Sequence, residues 1–310
     1  MTNKSKGLVA ALSANVIWGF VSIAFRFLQK YPTDLILCYR IVIACFITWL
    51  SISIFKRKQL KQDLKNVKLN RDMPKMKFWL LLILSAIGIT LNWFAFIYVV
   101  NNINIKSAAF AYMICPLITA LGGFVLLKEE LSKLKFFALG LAAISIILLA
   151  SGFLGSVIWS GLIALFYATF VLIQRILKNF DRLNMLGFQL LIGLILVSPL
   201  FFFHPQNIPT DLSFWLVIIL VGILFTLIPL LLSLYAVGHL PSSTVGIMLY
   251  VNPIVAFTVA FFYFHEPIVF KQIVAYSLLI LAVIIFNWKI LSKSYFKLGD
   301  KLKKEIDIAA

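Results

Sequence analysis

Runs of about 20 apolar residues, parted by short polar stretches, recur along the whole chain. A helix rising about 1.5 Å per residue needs that length to cross roughly 30 Å of hydrocarbon. The pattern predicts ten membrane helices, over 7–27, 35–55, 78–99, 107–127, 135–154, 156–176, 184–203, 214–237, 244–264 and 268–288. Only a Gly-rich turn near Gly152 and Gly155 parts the fifth from the sixth. One continuous helix over both would span about 60 Å, so two crossings are required. Lys4 and Lys6 before the first run suggest a secretory signal, but the run is long for a signal core and further spans follow, which predicts a retained first helix.

The hydrophobic pattern also repeats. Residues 98–131 slide without a gap onto 235–268, placing Tyr98 on Tyr235, Pro116 on Pro253, Phe124 on Phe261 and Glu129 on Glu266. Each copy is a polar loop, an apolar run with one central proline, and a glutamate where the run ends. Upstream, 18–40 slides onto 167–189, with Trp18 on Tyr167, Arg26 on Arg175, Leu28 on Leu177 and Leu37 on Leu186. The two offsets differ by the excess length of the loop 56–77 over its counterpart 204–213. The expected organisation is a short N-terminus (1–6), a first repeat (7–154) with a basic loop (56–77), a second repeat (155–288) and a basic tail (289–310).

Composition agrees with this reading: 62% of the 310 residues are apolar and 13% charged. An ordinary water-soluble domain is excluded. The net charge of +17 would suggest nucleic acid in a soluble protein, but here the basic residues sit between apolar runs and no basic stripe with stacking aromatics is present. With the N-terminus inside, 23 of the 28 Lys and Arg residues fall on the cytoplasmic side, against four outside: Arg26, Lys30, Lys106 and Lys271. This bias predicts cytoplasmic termini and, with five crossings per repeat, inverted topology. The basic tail would lie against anionic lipid.

No catalytic or metal site is expected, and no cofactor. Acidic residues keep to loops, helix ends and the tail; no GxS or phosphate-binding loop occurs; the three histidines are isolated. Cys38, Cys45 and Cys115 fall within spans, without a CxxC, and read as small buried hydrophobes. The candidates for function are polar or helix-breaking residues inside apolar runs. Pro116 and Pro253 each remove a backbone donor, freeing the carbonyls of Tyr112 and Leu249 for a cavity or a packing kink. Tyr112, Cys115, Tyr250 and Asn252 flank them. Asn15, Trp18 and Ser22 form one helical stripe that faces protein or water. Asn92, Trp93 and Gln189 line a pathway or bond between helices. Glu129, Glu130 and Glu266 are expected to be structural, at the N-terminal ends of the fifth and tenth helices, with Ser132 as an N-cap.

Ten spans in two inverted halves, each with a central Pro and a terminal Glu in its fourth helix, resemble the EamA family of the drug/metabolite transporter superfamily. The stretches NWFAFIYVVNNINIKSAAFAYMICPL, LKEELSKLKFFAL, TLIPLLLSLYAVGHLPSSTVGIMLYVNPIV and FHEPI are similar to its RarD-type subfamily of bacterial permeases. The resemblance implies that spans 1, 3, 4, 6, 8 and 9 line a central cavity to which Tyr167 also belongs. Lys128 and His265 stand where many members have Gly, and Gln189 where the subfamily often has Glu. The latter departure removes the intramembrane carboxylate that a proton site would use.

Arg40 is the basic residue well inside a span, about 8 Å of helix rise from the expected start at Leu35. It either snorkels to the outer interface or points into the cavity. In the second case it calls for an anionic or zwitterionic small-molecule substrate. The expected function is alternating-access transport of a small organic molecule; the rival is a non-transporting scaffold or receptor subunit. Transport predicts that Trp18, Asn92, Tyr112, Tyr250 and Asn252 converge, a scaffold that they scatter.

Overall fold

The computed structural model describes residues 3–69, 73–128, 130–177, 180–203, 208–240 and 248–288. Glu129, the start of the predicted ninth span and the basic tail lie outside them. Among these residues the α-helices are, in order, α1 (Asn3–Gly19), α2 (Val21–Phe27), α3 (Thr33–Ser51), α4 (Arg57–Leu69), α5 (Lys75–Asn102), α6 (Ile105–Leu127), α7 (Lys133–Ile176), α8 (Arg182–Phe203), α9 (Leu212–Gly222), α10 (Ile228–His239), α11 (Val251–Thr258) and α12 (Phe270–Phe286). Wider π turns join α3 to α4 (Ile52–Lys56) and α9 to α10 (Ile223–Leu227), and another, Val259–Tyr263, extends α11. Among the described residues eight helices are long and apolar enough to cross a membrane, and Val251–Tyr263 and Phe270–Phe286 are shorter apolar ones. Large apolar side chains such as Phe46, Phe55, Ile147, Ile195 and Phe262 stand exposed on the bundle surface, as lipid-facing positions require.

Several boundaries differ from the sequence expectation for local reasons. The predicted loop 56–77 is helical as far as Leu69, because no Gly or Pro interrupts it and Asp63 is drawn inward. The Asp63 carboxylate accepts from Asn184 Nδ2 at 2.6 Å and Gln59 Nε2 at 3.0 Å. Helix α7 breaks its helical geometry at Phe153 (φ −142°, ψ 41°), between Gly152 and Gly155 where the sequence places a turn, and its two parts, Lys133–Ala150 and Gly152–Gln174, are each long enough to cross a membrane. The first span is interrupted after Gly19, α3 starts at Thr33 after Pro32, and the last helix starts at Phe270 rather than at Ile268. Ser132 occupies the N-cap position of α7 without a side-chain cap hydrogen bond. Asn104 does cap α6, its Oδ1 accepting the Ser107 N–H at 2.7 Å.

Small residues set the closest helix approaches. A Cβ on Gly19 would lie 2.5 Å from Val255 Cβ, and one on Gly222 would lie 2.5 Å from Ile43 Cγ2, so glycine lets α1 meet α11 and α9 meet α3. Helix α12 packs on the first part of α7 through Ala275, Leu279, Ala142 and Leu149, with Ser145 Oγ donating to the Ala275 carbonyl at 2.6 Å. These two outer elements leave the centre to the other helices.

Candidate functional site

The centre of the bundle holds a cavity of ≈ 140 Å³. Its wall takes Asn15 and Trp18 from α1, Arg40 from α3, Asn92 and Trp93 from α5, Tyr112, Cys115 and Pro116 from α6, Tyr167 from α7, and Asn252 from α11. Phe25, Phe96, Phe170 and Phe225 supply aromatic surface between them. The spans implied by the resemblance therefore all contribute, and Arg40 and Leu186 add the second and seventh.

Several polar members are held by backbone carbonyls. Pro229 stands four residues after Phe225 and brings no N–H for its carbonyl. The π turn Ile223–Leu227 lies just before it, and Trp18 Nε1–H donates to the freed carbonyl at 3.1 Å. Thr226, also in the wall, returns its hydroxyl to the Val221 carbonyl at 2.9 Å. Asn92 Nδ2 donates to the Ile163 carbonyl at 2.8 Å, and Tyr112 OH reaches Asn92 Oδ1 at 3.5 Å. The Tyr112 ring meets Tyr167 edge-on at 5.8 Å and Phe96 at 5.4 Å. Asn15 Nδ2 donates to the Ala11 carbonyl at 2.8 Å, and its buried Oδ1 has no partner among the described residues.

Arg40 is 5% exposed and does not snorkel. From the start of α3 at Thr33 it lies about 10 Å along the helix. Its guanidinium carbon sits 4.3 Å from the Trp93 ring centroid and 5.5 Å from that of Phe25.

Other expected site residues fall elsewhere. Gln189 is buried beside the cavity wall and holds α8 to α5, Nε2 donating to Ser85 Oγ at 2.7 Å, while Gln174 Nε2 donates to its Oε1 at 3.4 Å. Tyr250 and Pro253 are outside the lining, as is Ser22. Pro116 lies inside an unbroken helix, whereas Pro253 falls in the first turn of α11, where a missing N–H is tolerated. Glu266 does not serve its own helix: its carboxylate accepts the Ile105 and Lys106 N–H groups at 2.7 and 3.2 Å, capping α6, and pairs with Arg26 at 3.3 Å. Lys106 Nζ adds a bond to the Pro267 carbonyl. At the same end, hydrogen bonds from Lys30 and Tyr31 hold the Asp211 carboxyl below its usual range, and the bond to Asp211 raises the Lys30 ammonium. No cluster of His, Cys, Asp and Glu capable of holding a metal occurs among the described residues.

The sequence reading missed Pro229, Phe225 and Thr226. A proline four residues after an apolar position in a span was the available signal, since it marks a carbonyl that needs an outside donor.

Fold and cavity together define a multi-pass helical membrane protein with a partly polar chamber at its centre. The chain belongs to the EamA-like transporter family, whose model matches residues 5–151 and again residues 154–288. It is 29% identical over 303 residues to the uncharacterized transporter YojE of Bacillus subtilis, covering 94% of this chain and 98% of that protein. Protein RarD of Salmonella typhimurium is 28% identical over 288 residues (91% and 94% of the two chains), and RarD of Escherichia coli 26% over 287 residues (91% and 93%). A solved crystal structure shares the fold at TM-score 0.62 and 14% identity, covering 91% of this chain and 96% of that one. The protein is a membrane transporter.

Proposed function

We propose that the chain is a secondary transporter that moves a small organic molecule across a bacterial cytoplasmic membrane by alternating access, with the central cavity as its substrate site. Ten spans form two inverted repeats of five, with both termini in the cytoplasm. The convergence of Asn15, Trp18, Arg40, Asn92, Tyr112, Tyr167 and Asn252 on one cavity carries this reading. They come from both segments matched by the family model, and a site at the junction of repeats is what rocking of one half against the other requires. A scaffold has no use for polar groups gathered at mid-bundle, where each is costly to bury.

Purified protein in proteoliposomes, loaded with pooled labelled metabolites of neutral, cationic and anionic classes, tests the proposal. At least one class should exchange faster than in empty liposomes, and Asn92→Leu should reduce that flux at least tenfold. Single cysteines beside Pro116, in a protein without Cys38, Cys45 and Cys115, should also react with an impermeant thiol reagent in one state. No flux of any class, with complete thiol protection, refutes the reading.

A further inference from the structure

Arg40 brings a full positive charge to the cavity wall without a negative partner. Among the described residues the ion pairs are Arg26–Glu266, Lys30–Asp211 and Lys56–Asp181. None involves Arg40, and its buried Nε has no hydrogen-bond acceptor. No acidic side chain is among the described lining residues. Trp93 and Phe25 engage the guanidinium through their rings, an attraction that leaves the in-plane N–H donors unused. A desolvated cation with free donors in a fork is matched by a carboxylate, which accepts two parallel hydrogen bonds.

The rest of the wall limits what that carboxylate is attached to. Phe96, Phe170 and Phe225 are apolar, Trp18 has spent its N–H on a backbone carbonyl, and the other polar groups, Asn15, Asn92, Tyr112, Tyr167 and Asn252, are uncharged. An ammonium group would share this chamber with Arg40 and find no carboxylate among the lining residues. The volume of ≈ 140 Å³ is close to that of an engineered apolar cavity, about 150 Å³, that takes up benzene. We infer that the cavity selects a small organic monoanion, a carboxylate on an uncharged, apolar body of about one ring, with its charge on Arg40. The inference rests on the transport reading above and narrows its substrate from anionic or zwitterionic to monoanionic.

The test is the melting midpoint of the purified full chain in neutral, lipid-free detergent, with benzoate, benzamide and benzylamine, and with the six-carbon series hexanoate, hexanamide and hexylamine. At least one carboxylate should raise the midpoint by about 2–4 °C at saturation, and its amide and amine should not. Arg40→Gln should abolish that shift, and Arg40→Lys should reduce it. A parallel arm adds phosphatidylglycerol: a shift from this lipid that Arg40→Gln abolishes, with none from any carboxylate, would assign the anion to a lipid phosphate and overturn the inference. Equal shifts within a series, no shift from either carboxylate, or an unchanged carboxylate shift in Arg40→Gln also overturn it. Should that variant not fold, the wild-type comparison decides alone. Flux of neutral or cationic solutes without a carboxylate response sinks this inference and leaves transport standing, whereas absence of all flux sinks transport itself.

Discussion

Arg26 Nη2 lies 3.3 Å from Glu266 Oε1, joining residues 240 positions apart, and the same carboxylate closes the N-terminus of α6 through the amides of Ile105 and Lys106. Those amides have no partner within their own helix, and the helix dipole adds to the attraction of a carboxylate placed there. Removing the charge should therefore cost more than an exposed ion pair would. Glu266→Gln should lower stability by about 1–3 kcal/mol, read as a lower melting midpoint in detergent. Arg26→Met should cost less, and the double variant should show coupling between the two sites. Independent, additive losses would contradict the shared network.

Trp18 and Pro229 should behave as a pair, because the proline frees the Phe225 carbonyl that the indole N–H serves. Trp18→Phe leaves the Phe225 carbonyl without the indole donor and should destabilise by about 1–2 kcal/mol. Pro229→Ala restores an N–H four residues along the helix, so the same Trp18→Phe change made in that background should cost less than half as much. A double-mutant cycle of melting midpoints checks this, and an undiminished cost would mean that Trp18 acts only by packing.

Lys128 and His265 share a left-handed backbone, with φ of 55° and 49°, at positions matched by the repeat. A side chain in that region costs roughly 1–2 kcal/mol, partly offset by the larger unfolded-state freedom of glycine. Lys128→Gly and His265→Gly should each stabilise the protein by about 0.5–1 kcal/mol. The measurement is again thermal melting, and destabilisation by either change would show that its side chain has a contact worth more than the strain.

Orientation is open to direct measurement. A reporter fused after Ala310 and one inserted between residues 69 and 75 should both report the cytoplasm. An external signal from either would break the inverted arrangement on which the proposed mechanism depends.

The sequence made the cavity legible through single polar residues in apolar runs. Asn15, Trp18, Asn92, Tyr112 and Asn252 had to face protein or water, and the bundle offers one interior for them to share. Gln189 obeyed the same rule and still went elsewhere, because Ser85 and Gln174 meet it between helices and sequence does not say which neighbour a buried amide finds. Tyr250 stands between two lining positions, Leu249 and Asn252, yet stays out of the lining itself, because neighbours along a helical backbone point about 100° apart. The partner of Glu266 was hidden for another reason: local rules pointed to the helix that follows it, while the amides it caps lie 161 residues earlier. The helix through Arg57–Leu69 was obscured by its polarity, since hydrophobic pattern finds membrane spans and passes over a charged helix at their end.

The bonds that cross between the two matched segments also bear on how the chain is made. Ile105 and Lys106 leave the ribosome 161 and 160 residues ahead of the carboxylate that caps them, a delay of roughly 8–30 s at about 5–20 residues per second. Trp18 and Asn92 likewise precede the carbonyls of Phe225 and Ile163 that receive them. Until the later segment is inserted, the earlier one stands in lipid with buried donors unmet, so a prematurely ended chain presents polar groups inside the bilayer and offers membrane proteases an early means of telling it from a finished one.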